Sequence, residues 1–99
     1  MVIIFDGKPR RVRQWFKNHI YRMYNFRILR EQGTTLDSQG QKKLLHFQKK
    51  VDQHINYGLS LGIPADEIKN FNLAIIAEVK KRKNPTAIIQ ELIRENGQK

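Results

Sequence analysis

Apolar residues recur at three- and four-residue spacing along most of the chain, the spacing that collects side chains on one face of an α-helix. The first stripe predicts a helix from about residue 10 to residue 31, built on Val12, Phe16, Ile20 and Met23 with Trp15 and Tyr24. Arg27 and Arg30 fall on the same face, so we expect them at the rim of the core, with their aliphatic stems packed.

Three further stripes follow, separated by turn residues. A helix over roughly 38–59 is indicated by Leu44, Val51, Ile55 and Leu59, with Gly58 and Gly62 weakening its end. A third helix begins after Pro64 with acids in its first turn, and its buried stripe is Ile68, Phe71, Ile75 and Val79. A fourth opens at Asn84-Pro85, continues to about residue 95 before Gly97, and turns Ile88, Ile89, Leu92 and Ile93 inward.

Residues 2–5 form a short β-branched and aromatic run that Asp6-Gly7 closes, which is typical of one strand or an extended arm over residues 1–9. One strand cannot form a sheet. The run must therefore pack on the helices, pair with a second copy, or add to the sheet of a partner. Without a strand partner in the chain, residues 2–5 predict a homodimer or a protein partner.

These elements predict an all-α fold, a compact bundle of about four helices with a short extended N-terminal arm, in a single domain spanning residues 1–99. The predicted core comprises Val12, Trp15, Phe16, Ile20, Leu44, Val51, Ile55, Ile68, Phe71, Ile75, Val79, Ile89 and Leu92.

Chain length and composition limit the kinds of site that this protein can form. A chain of 99 residues is too small to enclose a large cofactor, and we expect none. The absence of cysteine removes disulfides, thiolate nucleophiles and thiolate zinc sites. The apolar start is too short for a signal peptide or a membrane span, so we expect a cytoplasmic protein.

Catalytic and metal-binding patterns are not evident in the sequence. His19, His46 and His54 lack the four-residue spacing that places two imidazoles on one helical face. We expect these histidines on the solvent side or at the core boundary, without a metal. The acids are scattered and form no triad or carboxylate pair, so no enzymatic activity is predicted.

Charge is the most informative property. Residues 1–30 contain eight lysines or arginines against one acid, Asp6, which is +7 of the overall +10, together with six of the nine aromatic residues. Cations beside flat rings suit phosphates and bases. We therefore expect a non-enzymatic accessory or regulatory protein that binds nucleic acid mainly through phosphates, DNA ahead of RNA.

The alternative is a small helical protein-interaction regulator, of phage or mobile-element origin. For nucleic acid, the candidate residues are Lys8, Arg10, Arg11, Arg13, Lys17, Asn18, Arg22, Lys42, Lys43, Lys49, Lys50, Lys80, Lys81, Arg82 and Lys83. The arm and the basic residues after it are expected to enter a minor groove.

Two short strings resemble known families. Residues 12–18 resemble the recognition helix of homeodomains, which implies core positions for Trp15 and Phe16 and a base-reading role for Asn18. The family's later arginines are absent here, and simple anchoring of the first helix explains the Trp-Phe pair. Residues 45–57 resemble the second helix of small aspartyl-phosphate phosphatases of sporulation regulators, but only Asp52 of that signature is retained, so the activity is not expected.

Overall fold

The computed structural model describes residues 3–94. A two-residue strand β1 (Ile3–Ile4) precedes the helices α1 (Arg10–Gln32), α2 (Ser38–Ser60), α3 (Ala65–Lys80) and α4 (Pro85–Leu92), and a second short strand β2 (Ile93–Arg94) follows them. A single 3₁₀ turn (Gly33–Thr35) joins α1 to α2. The predicted all-α fold with four helices is confirmed.

Local capping explains why the helices begin where they do. The Asp37 carboxylate accepts a hydrogen bond from the Gly40 amide at the start of α2, and the Asn84 side chain accepts one from the Ala87 amide at the start of α4. Asp66 and Glu67 occupy the first turn of α3, where they complement the positive end of the helix dipole. The predicted starts of these helices are therefore confirmed.

The end of α4 differs from the prediction. The helix stops at Leu92 rather than near residue 95, and Ile93 is extended with φ −122° and ψ 129°. Residues 93 and 94 pair in parallel with β1, Ile93 opposite Ile3 and Arg94 opposite Ile4. A short apolar run can form a helix or a strand. Here the backbone hydrogen-bonding groups of β1 need a partner, and this favours the strand. The predicted stop at Gly97 lies outside the described residues.

This pairing corrects the premise that the N-terminal run has no strand partner in the chain. Ile3 and Phe5 are buried in the common core, where the Phe5 ring lies 6.4 Å from that of Phe16. An interface through residues 2–5 stays a prediction. The reason for expecting it was the need of the backbone for a strand partner, and Ile3 and Ile4 have such a partner within the chain. Residue 2 lies outside the described part of the chain.

The core surrounds α1, which packs against each of the other helices. Phe16 meets Phe71 of α3 edge to face at 4.9 Å. Most predicted core residues are buried, and Val12, Leu44, Ile55 and Ile89 are partly buried against them. Arg27 is half-buried and Arg30 lies over the Phe26 ring, as the predicted rim position requires.

Gly58 sets the contact between α1 and α2. A Cβ at this position would lie 2.6 Å from the indole ring of Trp15, so only glycine admits the ring. Trp15 also donates its indole N–H to the His54 carbonyl at 2.7 Å. Gly58, which the sequence predicts to weaken the end of α2, lies in the last turn of that helix and allows close packing there. Among residues 3–94, no helix is long and apolar enough to cross a bilayer.

Candidate nucleic-acid interface

Part of the predicted basic set lies on the side of α1 that is next to α2. Arg11, Asn18 and Arg22 follow one another at seven and four residues, which keeps them on one helical face. Arg10 and Gln14 adjoin them. No acid interrupts α1 between residue 10 and Arg30, because its only acidic residue is Glu31.

The facing side of α2 carries a second row. Lys42, Lys43, Lys49 and Lys50 are all exposed, and their spacing places them on one face with Gln53 and Tyr57. Asp52 follows Lys49 by three residues and therefore lies at the edge of this row. Since α1 and α2 are consecutive helices joined by a short turn, the two rows run side by side.

Between the rows, the surface forms a cleft of about 470 Å³ at the beginning of α1. Its walls are Arg10, Arg11, Gln14 and Asn18 from α1 and His54 and Tyr57 from α2, with the Trp15 indole also lining it. A smaller depression of about 160 Å³ continues past His54 and Tyr57 to Arg22, Lys50 and Gln53.

A third depression, of about 400 Å³, lies near the start of α2 between Gln39, Lys42, Lys43 and His46. None of the described residues lining these three depressions is acidic. We call this surface the cationic face: Arg10, Arg11, Asn18 and Arg22 of α1, and Lys42, Lys43, Lys49, Lys50 and Tyr57 of α2.

Other candidates near the chain start lie elsewhere. Lys8 sits 3.9 Å from the Glu67 carboxylate and over the Phe16 ring, and its amide donates to the Phe5 carbonyl. Lys17 lies over the Phe5 ring, and Arg13, one turn earlier, shares its side of α1. The described part of the arm is thus folded onto the protein, which does not match the free arm expected to enter a minor groove.

In the predicted patch at residues 80–83, two of the four basic residues form ion pairs with acids. Lys81 and Lys83 contact the Glu78 carboxylate at 3.1 and 2.7 Å, and Lys83 also lies 3.7 Å from Glu91. Hydrogen bonds from Lys83 and Lys81 lower the pKa of Glu78, and the bond to Glu78 raises the pKa of Lys83. Arg82 has φ 65° in the turn, and Lys80 is exposed. The charges of Lys81 and Lys83 are therefore partly balanced by Glu78 and Glu91.

Tyr57 is a candidate interface residue that sequence reasoning missed. Its ring is 50% exposed although the residue belongs to a helix that packs on the core. The spacing of Lys50, Gln53 and Tyr57, three and four residues, was the available signal, because it places the ring in the basic row.

Two histidines form a buried pair beneath the cationic face, which corrects their expected boundary position. His19 Nδ1 and His54 Nδ1 are 2.9 Å apart, and His19 Nε2 lies 2.6 Å from Asn72 Oδ1. The amide oxygen only accepts, so His19 Nε2 carries the proton and His54 donates from Nδ1. Both imidazoles stack with the Trp15 indole, at centroid distances of 4.4 and 4.8 Å.

The pair is neutral at pH 7. Burial lowers the pKa of His19 from 6.5 to about 4, against an opposing contribution from the hydrogen bond to Asn72. Burial also lowers the pKa of His54, to about 3, with further contributions from the charges of His19 and Arg22. No group of three or more potential metal ligands comes together among residues 3–94.

Comparison of the chain with family models, with curated proteins and with solved structures finds no match.

Proposed function

We propose that this protein is a non-enzymatic accessory or regulatory protein that binds nucleic acid, with DNA ahead of RNA, through phosphate contacts on the cationic face. The observation that supports the proposal is the uneven distribution of acidic and aromatic partners among the cations. Lysines and arginines outside this face contact acids or aromatic rings at several positions, whereas the depressions on the face are lined by cations without an acid.

The cations of the face lie within residues 10–22 of α1 and 42–50 of α2, which correspond to about 18 Å and about 12 Å of helix. Each row is therefore shorter than one turn of duplex DNA, about 34 Å, and can follow the phosphates of part of a turn. Cations at regular positions on straight helices favour backbone binding over reading of a folded RNA shape.

Binding assays with two charge-matched variants test the proposal. The face variant replaces Arg10, Arg11 and Arg22 by glutamine, and the control variant replaces Lys69, Lys80 and Arg82, which are exposed and lie off the face. Affinities are measured by fluorescence anisotropy for duplex DNA, structured RNA and single strands at low and physiological salt.

The face variant should lose affinity for every sequence about equally, because phosphate contacts carry no sequence information, and the control variant should lose much less. Absence of binding to all three nucleic acids at low salt, where electrostatic attraction is strongest, would overturn the proposal. Equal losses in the two variants would show that net charge, rather than the cationic face, determines binding.

A further inference from the structure

The cleft at the beginning of α1 has features that phosphate binding alone does not require. The Tyr57 ring is half exposed in the cleft that Arg10 and Arg11 also line, and its centroid lies 6.2 Å from that of His54, which supports it from one side. The cleft volume of about 470 Å³ lies within the range of small-molecule sites, roughly 300 to 1,000 Å³. An aromatic wall and a concave space of this size suit a flat ligand.

Amide groups provide the polar wall opposite Tyr57. Gln14 Nε2 donates to Asn18 Oδ1 at 3.1 Å, which fixes the orientation of both amides. Gln14 then presents its carbonyl oxygen as an acceptor, and Asn18 presents its N–H groups as donors. A donor beside an acceptor is the pattern that pairs with the edges of nucleobases.

We propose that this cleft binds one unpaired nucleotide of a nucleic-acid strand, with its base stacked on Tyr57, its edge toward Gln14 and Asn18, and its phosphate at Arg10 and Arg11. The inference rests on the proposed function and adds the form of nucleic acid that is preferred. A base inside a duplex has both π-faces covered by its neighbours, so only an unpaired or displaced base can use the ring.

The test compares three labelled DNAs of equal length: a duplex, the same duplex with one bulged nucleotide, and the single strand. The variants are Tyr57→Ala, Tyr57→Phe, which keeps the ring, and Tyr21→Ala as a matched control, because Tyr21 is an exposed tyrosine outside the cleft. Circular dichroism checks that each variant is folded. The emission of Trp15 gives a second readout, since it is the only tryptophan and lines the cleft.

Tyr57→Ala should weaken binding to the bulged duplex and the single strand by about 5- to 150-fold, the range for removal of a stacking aromatic residue. Binding to the perfect duplex should change by less than about twofold, and Tyr57→Phe and Tyr21→Ala should behave like the parent protein. Trp15 emission should change with the unpaired DNAs and not with the duplex.

Equal losses for duplex and single strand, or no loss for any of them, would overturn the inference while leaving phosphate binding intact. Displacement of the single strand by adenosine monophosphate at equal nucleotide concentration would also overturn it, because the cleft would then be a free-nucleotide site. Absence of binding to every DNA by the parent protein would instead refute the DNA binding on which this inference rests, so the two failures are distinguishable.

Discussion

Core packing and the neighbouring charge both favour the neutral forms of His19 and His54. Their rings fill the space between α1 and α2 and stack on Trp15, so the core needs them neutral. The nearby guanidinium of Arg22 belongs to the cationic face and disfavours a further positive charge. The histidine pair thus allows a polar, hydrogen-bonded core directly beneath a basic surface without adding buried charge.

The pair makes stability depend on pH. Both histidines have folded-state pKa values, about 4 and about 3, below the ordinary value of 6.5. Between pH 6.5 and 4 the unfolded chain therefore binds protons that the folded protein excludes, and the free energy of unfolding falls as the pH falls. Since one pKa unit corresponds to about 1.4 kcal/mol, the loss should reach a few kcal/mol.

Urea unfolding at pH 7.0, 5.5 and 4.5 measures this loss. His46→Gln, which changes an exposed histidine, should reproduce the parent profile, whereas His54→Gln should flatten it. Glu78 acts in a lower window: its pKa is depressed by its lysine partners, so its contribution is lost only below about pH 4.5. A free energy of unfolding that is constant from pH 7.0 to 4.5 would contradict the neutral buried pair.

At the scale of the elements, the contact between α1 and α2 depends on the absence of a Cβ atom at Gly58. Gly58→Ala should destabilise the protein by about 1 to 3 kcal/mol, because the new methyl group must displace the Trp15 ring, although alanine favours helix formation by up to about 1 kcal/mol. Asn56→Ala, at an exposed position of the same helix, is the control and should be neutral or slightly stabilising. Thermal unfolding compares the two, and a more stable Gly58→Ala protein would show that Trp15 does not fill this space.

The strand pair provides a second comparison between adjacent residues. Ile3 is 5% exposed and Ile4 is 54% exposed, although both belong to β1. Ile3→Ala should therefore cost about 2 to 5 kcal/mol, the range for emptying a buried isoleucine site, while Ile4→Ala should cost well under 1 kcal/mol. Chemical denaturation measures both. Similar small effects would mean that β1 does not pack on the core in solution.

Periodicity predicted the helices well because each helix has one continuous apolar stripe, and α2 and α4 also have a capping side chain. Asp37 and Asn84 are examples of residues whose local hydrogen bonds are legible in the sequence. Contacts between distant segments were not predictable this way. The pairing of Ile3 with Ile93 and the bond between His19 and His54 join residues 90 and 35 positions apart, and no local pattern encodes either.

For the candidate site too, features visible in residue composition were predictable, and contacts between distant segments were not. The sequence located the cations of residues 10–22 and of α2, because basic residues are visible by composition alone. It did not separate them from Lys8 and Lys83, whose acidic partners Glu67 and Glu78 are brought near by the fold, whereas the three-residue spacing of Glu78 and Lys81 does indicate that pair. Tyr57 was missed for a related reason, since its exposure depends on where α1 lies.

At the scale of the whole molecule, the net charge of +10 is distributed unevenly. Several basic residues outside the cationic face are balanced by Glu67, Glu78 and Glu91 or lie over aromatic rings. The three depressions along α1 and α2 are lined by cations without an acid, so the potentials of neighbouring cations add there. Under the proposed function, this distribution attracts a polyanion to one side of the protein and orients it there.

The salt dependence of DNA affinity tests this central claim most directly. The logarithm of the association constant for a duplex of about 20 base pairs is measured against the logarithm of salt concentration for the parent protein and the two charge-matched variants. Each neutralised phosphate contributes about 0.9 to the slope, so replacement of Arg10, Arg11 and Arg22 by glutamine should flatten the slope by about two to three. Replacement of Lys69, Lys80 and Arg82 should leave the slope nearly unchanged. An identical slope in all three proteins, or equal flattening in both variants, would contradict binding by the cationic face.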